Sequence, residues 1–252
     1  HKLDRIVAGD LDEISDAFER YEFFRFFQLL QNYCVADLSN FYLDIAKDRL
    51  YVSAPNDRRR RSCQTVMALI IERLAGAIAP VLCHMAEDIW QNLPYAVAED
   101  SVFRRGWPVV PDTWRDESLN APMQQLRDLR GAVNRVLEEC RSRQELGASL
   151  EASVRIDACS ETLQSALSWL ADHGDPEVDG LRDWLLVSQL QLGGEPWAEL
   201  LASDDANPLA VIEVARARGE KCERCWHYES DIGQHADHPS LCGRCVAVLK
   251  RR

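Results

Sequence analysis

No stretch of the 252-residue chain stays apolar for the roughly 18 to 20 residues that a membrane-spanning helix needs. No basic start runs into an apolar segment in the manner of a secretory signal. Phosphate-cradling loops are missing, since neither G-x-x-x-x-G-K-[ST] nor G-x-G-x-x-G occurs, and neither do the G-x-S-x-G elbow and the H-E-x-x-H metal pair. Carboxylates are plentiful, but they fall on solvated helix faces, and spacing singles out no general acid or base. No catalytic residue is therefore assigned. An excess of positive charge is lacking as well. Lys plus Arg is 29 against 41 Asp plus Glu, a formal net charge of −12. That balance argues against a generic nucleic-acid-coating protein but leaves room for a local basic surface. The chain does not lack apolar residues: at 46%, with seven Trp, six Tyr and seven Phe, it exceeds what a disordered segment carries and can build a core. At roughly 150 residues per domain the length suits one to two domains. Residue 1 is His, and we expect a fragment or a processed product.

Nine cysteines is a high count for this length, and they fall into two populations. Cys34, Cys63, Cys83, Cys140 and Cys159 are scattered through apolar or helical contexts and are expected to be small buried thiols. The odd total and irregular spacing argue against a disulfide framework and for a reducing cytoplasm. Cys222, Cys225, Cys242 and Cys245 instead form C-x2-C, sixteen residues, C-x2-C. Zinc takes four soft donors at about 2.3 Å in a tetrahedron, and two residues between thiolates let one tight turn supply two of them. Gly243 inside the second knuckle suggests a position where a positive φ is needed. Four cysteines close the shell, so a single zinc ion is expected to be structural, with His227, His235 and His238 outside it. Lys221, Arg224 and Arg244 stand beside the cysteines in sequence and would offset the net −2 of a four-thiolate zinc site. From Gly219 onward the chain is too short to build its own core, so metal binding should supply much of its folding free energy.

Elsewhere the pattern is chiefly helical. Phe23, Phe27, Leu30, Cys34, Leu38, Phe41 and Ile45 recur at steps of three and four between Leu11 and Tyr51. Tyr21, Phe24, Phe26 and Tyr42 widen this stripe, which places Phe23 to Phe27 in a core. After the break at Ser53–Asp57, a helix from about Arg58 to Ala79 carries Cys63, Val66, Ile70, Leu74 and Ile78 inward. A further segment follows Pro80 and ends at Asn92-Leu93-Pro94. Residues 94 to 120, punctuated by Pro94, Pro108 and Pro111, form an irregular connection. Met123 to Arg143 is helical again. Beyond Gly147 the spacing predicts a strand over Ser153–Asp157, a helix capped at Ser160–Thr162 and closed by Asp172-His173-Gly174, β structure over Leu181–Leu192 and a strand over Leu209–Ala215.

Arg58-Arg59-Arg60-Arg61 is the most conspicuous basic feature. It opens a helix, where the dipole disfavours cations. Two readings compete: a site for an anionic partner, extended by Lys47 and Arg49, or a solvated cap paired with Asp48 and Asp57. Lys250-Arg251-Arg252 is a weaker cluster. Trp226-His227-Tyr228 either covers the metal site, the reading we favour, or presents a surface to a partner.

At this point the residues resemble one family, the C-terminal part of bacterial-type isoleucyl-tRNA synthetase. Phe41-Tyr42-Leu43-Asp44-Ile45-Ala46-Lys47-Asp48-Arg49-Leu50-Tyr51 is similar to a helix of its anticodon-binding domain. Arg60–Thr65, Ile78–Pro80, Ala86–Trp90 and Gly147–Ala152 resemble later segments. Gly219–Tyr228 with Leu241–Cys245 looks like its terminal zinc finger. The resemblance implies a mainly α fold: a helical anticodon-binding bundle over 1–120, a helix plus a small α/β module over 121–218, and a four-cysteine finger over 219–252. It implies an isoleucine–tRNA ligase as parent, a class I enzyme that charges its tRNA with ATP and Mg2+ and hydrolyses mischarged valyl-tRNA. Neither ATP-site signature of that class, the HIGH-type or the KMSKS-type, occurs here. The implied piece is therefore inactive alone. Its partner is the tRNA for isoleucine, with no membrane; it is a cytoplasmic monomer, Cys222, Cys225, Cys242 and Cys245 hold zinc, and Arg58, Arg59, Arg60, Arg61, Lys47 and Arg49 are candidates for tRNA contact. Two rivals are a stand-alone zinc-finger RNA-binding protein and the C-terminal region of a formamidopyrimidine-DNA glycosylase. The latter needs a catalytic N-terminal proline and a β-rich start, where this chain is helical.

Overall fold

The computed structural model describes residues 11–114, 116–173 and 180–250. It is mainly α, as the sequence indicates, and it divides into two compact units. The first takes residues 1–46 and 60–116, the second residues 47–59 and 117–252.

In the first unit, α1 (Leu11–Glu19) and α2 (Phe23–Asn32) lead into a π-helical stretch (Tyr33–Leu43) and then α3 (Asp44–Tyr51). After a turn come α4 (Arg58–Ile78), α5 (Cys83–Gln91) and the short α6 (Val102–Arg105). The boundary between the units falls within α3 and α4. Leu11, Ile14, Phe26, Leu30, Phe41 and Ile45 are buried, as are Cys63, Ile70, Ile78 and Trp90. The irregular stretch after α5 is tied down by polar contacts. Trp90 Nε1 donates to the Glu99 carbonyl (3.0 Å), and Glu87 accepts from the Ser101 hydroxyl (2.9 Å) and the Val102 amide (3.0 Å). Trp107 stacks on Phe18 at 4.6 Å and donates to the Ser15 hydroxyl, and Arg73 lies 4.1 Å over the Trp114 ring.

The aromatic stripe is corrected by this arrangement. Phe26 is fully buried, but Phe23, Phe24, Phe27 and Tyr21 are 47%, 77%, 46% and 79% exposed. A break that periodicity alone does not reveal precedes them. Tyr21 turns the chain at φ 59°, so α2 starts afresh and sends only its Phe26–Leu30 ridge inward. Cys83 and Cys159 are exposed and Cys34 half-buried, so only Cys63 and Cys140 of the scattered cysteines are buried thiols. Cys83 opens α5, whose inward side is supplied by Ala86 and Trp90.

In the second unit, α7 (Asn120–Ser142) buries Leu126, Leu129, Val133, Val136 and Leu137 against a four-stranded sheet and α8 (Glu161–His173). Gly174 lies outside the described residues. The strand order is β2-β1-β4-β3, from β1 (Ala152–Ala158), β2 (Gln189–Leu192), β3 (Ala202–Asp204) and β4 (Ala210–Arg216). β1 runs parallel to β2 and antiparallel to β4, and β3 pairs antiparallel with β4. Alternation fixes the faces: Val154 opposite Val214 and Ile156 opposite Ile212 are buried, while Arg155 pairs across from Glu213 on the other face. Ser160 caps α8 through the Leu163 amide. The reading of 181–192 as β-compatible is corrected in its first half: α9 (Leu181–Leu185) comes first, and Leu181, Trp184 and Leu185 bury at helical spacing. Leu186 ends it in the left-handed conformation at φ 55°.

Arg155 and Glu213 meet through two charge-assisted hydrogen bonds of 2.6 and 2.8 Å, with side chains 2% and 6% exposed. Glu213 also accepts the Trp197 amide, and Arg155 donates to the Gly194 carbonyl. Arg155 holds the Glu213 carboxyl below the usual range. Replacing Glu213 with Ala strands a buried guanidinium, and chemical denaturation should show a loss of about 3 to 5 kcal/mol. The double change Arg155→Met with Glu213→Leu should recover most of it. Because the folded carboxyl titrates below its unfolded value of about 4.3, this stabilisation is present at neutral pH and is lost on acidification below that value.

Candidate metal centre

The C-terminal segment consists of a hairpin of β5 (Glu220–Lys221) and β6 (Tyr228–Glu229), a loop, and α10 (Gly243–Lys250). Between the strands the first knuckle closes on itself: the Cys222 amide donates to the His227 carbonyl and the Trp226 amide to the Cys222 carbonyl, both at 2.9 Å. Trp226 takes the left-handed turn at φ 66°. Its ring is thereby sent outward, 61% exposed, with Lys221 Nζ 5.4 Å from its centroid. His227 points the other way and is 3% exposed. Of the aromatic triplet, then, His227 lines the centre and Trp226 does not cover it.

The second cysteine pair sits at the start of α10. Gly243 does not have the positive φ expected of it. It is needed for closeness instead: its amide donates to Asp231 Oδ2 at 2.7 Å, and an added Cβ would stand 2.7 Å from that same oxygen. The hydrogen bond from Gly243 holds the Asp231 carboxyl below its ordinary range.

The four cysteine sulfurs lie within 4.8 Å of one another, and all four residues are buried. Cys225 and Cys242 are 3.7 Å apart, and the Cys242 amide points at the Cys222 sulfur at 3.4 Å. Cys225, Cys242 and Cys245 shift one another's titration. Hydrogen bonds from Cys242 and Cys245 push the Cys225 thiol far down; the contact with Cys225 pushes Cys242 up to about 11, and those with Cys225 and Cys242 push Cys245 up. Val52, Ile232 and Leu241 pack around the cluster. Four soft donors in a dry pocket fit a closed zinc shell with no open position. His227 Nε2 and Arg224 Nη1 in the first knuckle are buried with no hydrogen-bond partner among the described residues.

Of the basic candidates, Arg59 is held in ion pairs with Asp183 and Asp48, its side chain 15% exposed. Arg49 is 1% exposed. Arg58, Arg61 and Lys47 are exposed and Arg60 is half-buried. Lys250 is exposed at the end of α10, and residues 251 and 252 lie outside the described residues. Two partners of these groups had no signal in the sequence. Val52 packs on the cysteines from 170 positions away, and Asp183 receives Arg59.

Residues 6–156 match the family described as anticodon-binding domain of tRNA ligase, and residues 219–248 match a zinc finger found in FPG and IleRS. Curated relatives bear the name isoleucine–tRNA ligase. That of Prochlorococcus marinus strain MIT 9313 is 79% identical over 98% of this chain and 25% of its own length. That of Synechococcus sp. strain CC9311 is 78% identical over the same shares. That of Prochlorococcus marinus strain MIT 9301 is 48% identical over 98% of this chain and 26% of its own length. The chain thus spans about a quarter of the length of these relatives.

Gly219 gives a direct check of the finger's geometry. It sits at φ +95°, and a Cβ there would stand 2.3 Å from the Glu229 carbonyl oxygen. Gly219→Ala should cost at least the roughly 1 to 3 kcal/mol of a strained backbone, because the backbone of β6 must also move. Gly233, at φ +84° with nothing within 4 Å of the added atom, should show the backbone strain alone when changed to Ala. Denaturation of the two variants side by side measures the difference.

Proposed function

The chain belongs to the family of anticodon-binding domains of tRNA ligases, and from that premise we propose that it is the tRNA-binding part of an isoleucine–tRNA ligase. The observation that carries the reading is near-complete coverage of this chain by isoleucine–tRNA ligases at 48 to 79% identity. The whole enzyme would attach isoleucine to its tRNA with ATP and Mg2+ and hydrolyse mischarged valine, in regions outside these 252 residues. Within them neither class I ATP-site signature occurs, so the chain alone should show no isoleucine-dependent ATP–pyrophosphate exchange. A zinc finger is also shared with FPG proteins, but the helical match over residues 6–156 favours the ligase over a glycosylase. It also favours a ligase over a stand-alone zinc-finger RNA-binding protein.

Cys222, Cys225, Cys242 and Cys245 hold one zinc ion, which supplies structural cross-linking and no open coordination position. The residues around it do the rest. Arg244 and His227 offset the sulfur charge from within the finger. Trp226, fixed by its left-handed turn and flanked by Lys221, offers a flat ring on which a tRNA base can stack while the ammonium meets a phosphate. Arg58, Arg61 and Lys47 are exposed and suited to phosphate, whereas Arg59 and Arg49 serve the protein's own interior. Among the described residues no helix is long and apolar enough to cross a membrane. The reading makes the ligase a cytoplasmic monomer.

Metal analysis of the purified chain should give about one zinc per molecule; a folded finger without metal contradicts the site. Filter binding against the isoleucine tRNA tests the partner. Changing Arg58 and Arg61 together to Ala should weaken affinity and flatten the dependence of log K on log salt by about 0.7 to 0.9 for each phosphate no longer neutralised. Trp226→Ala should cost about 1 to 3 kcal/mol with the salt slope unchanged, as removal of a stacking platform would. An unaltered affinity in both variants overturns this assignment of the contacts.

A further inference from the structure

A line of alternating charges leads out of the four-cysteine centre. Arg244 stands between Cys242 and Cys245 in sequence, at the first turn of α10. It places two guanidinium nitrogens on the two oxygens of Asp48, both at 2.8 Å. A planar fork meeting a carboxylate in this way fixes orientation as well as distance. The same guanidinium lies 3.5 Å from His227 Nδ1. Asp48 Oδ2 also faces Arg59 Nη2 at 3.7 Å, and Arg59 reaches Asp183 of α9 at 2.5 Å. Side-chain exposure along the line is 29%, 11%, 15% and 14%, so these are not solvent-screened surface pairs.

Two further contacts bind the same turn. The Arg59 amide donates to Asp57 Oδ1 at 2.8 Å, and Val52 packs directly on the cysteines. The turn from 48 to 59 is therefore held by its side chains to the sulfur cluster, to α10 and to α9, all within the second unit. Burial opposes charge on Asp48, yet the hydrogen bonds and charge of Arg244, with Arg59 behind it, keep its carboxyl below the ordinary range.

We propose that Asp48 is the positioning residue that clamps the arginine-bearing turn to the four-cysteine knuckle, so that metal in the knuckle sets the order of the turn that opens α4. Arg59 is then a strut and not a tRNA contact, and the exposed arginine beside it is presented in a fixed direction only while the knuckle is closed. Losing the metal frees α10 from the first knuckle, Arg244 from Asp48, and Arg59 with it. The consequence for RNA rests on the tRNA-binding reading above; the clamp itself does not.

Hydrogen–deuterium exchange of the full 252-residue chain tests the clamp without RNA. Peptides spanning residues 50–62 contain three informative amides. Val52 bonds the Asp48 carbonyl, Asp57 the Ala54 carbonyl and Arg59 the Asp57 carboxylate. Stripping zinc with a chelator should speed exchange in these peptides at least tenfold while β1 and β4 stay unchanged. Zinc-loaded Asp48→Asn should show the same acceleration with about one zinc retained. Asp183→Asn cuts the line at its far end and should loosen residues 57–62 with the knuckle untouched; it serves if Asp48→Asn fails to fold. Acceleration confined to residues 219–248 on metal removal overturns the clamp. So does wild-type protection of residues 50–62 in both zinc-loaded variants. Coupled exchange in a chain that binds no tRNA keeps the clamp and rejects the tRNA-binding reading.

Discussion

Four sulfur atoms within 4.8 Å of one another impose the constraint on which the C-terminal segment of the second unit depends. The segment that carries them has a two-residue-per-strand hairpin, one eight-residue helix and too few apolar side chains for a core of its own. Its interior is the sulfur cluster with Val52, Ile232 and Leu241 around it. Sulfur this crowded and this dry needs positive charge close by, and the chain supplies it in layers. Zinc is the natural first layer, Arg244 the second, and Asp48 balances Arg244 in turn. Arg59 and Asp183 continue the alternation until it reaches α9. A second tie comes from the hairpin itself: Arg182 pairs with Glu229, and the Tyr228 amide bonds the Ser188 hydroxyl, which joins the finger to the α/β module.

A chain of net charge −12 can serve a polyanionic partner because charge is partitioned locally. Residues 220–252 hold six Lys or Arg against five Asp or Glu, so the acidic excess lies elsewhere. Within the arginine run the division is finer still. Arg59 is consumed by carboxylates, Arg58 and Arg61 face outward, and counting arginines overstates the charge available to RNA. The paired-cap reading thus holds for Arg59, and the partner reading is a proposal for the exposed members of the run.

Much of this was legible in the sequence because the signals were local. The spacing of the four cysteines, the alternation of Ser153–Asp157 and the cap at Ser160 each depend on residues close in the chain, and each has its counterpart in the structure. The failures came where distant residues or unusual backbone decide. Phe23, Phe24 and Phe27 look like core until Tyr21 breaks the helix with a positive φ. Leu181–Leu185 is apolar enough for a strand, and only the burial of Trp184 selects a helix. Gly243 was expected to supply a left-handed turn in the second knuckle, whereas it makes room for Asp231, and a left-handed residue stands instead at Trp226 after the first knuckle. The pairing of Asp48 with Arg244 spans 196 positions, and no local pattern announces it.

The proposed function has this chain grip the anticodon arm of the isoleucine tRNA. Hydroxyl-radical footprinting of that tRNA with the zinc-loaded chain addresses it most directly. Protection confined to the anticodon stem and loop, reduced when the chain is stripped of zinc, is the predicted result. Protection of the acceptor stem alone, or none at concentrations that saturate binding, would contradict the account.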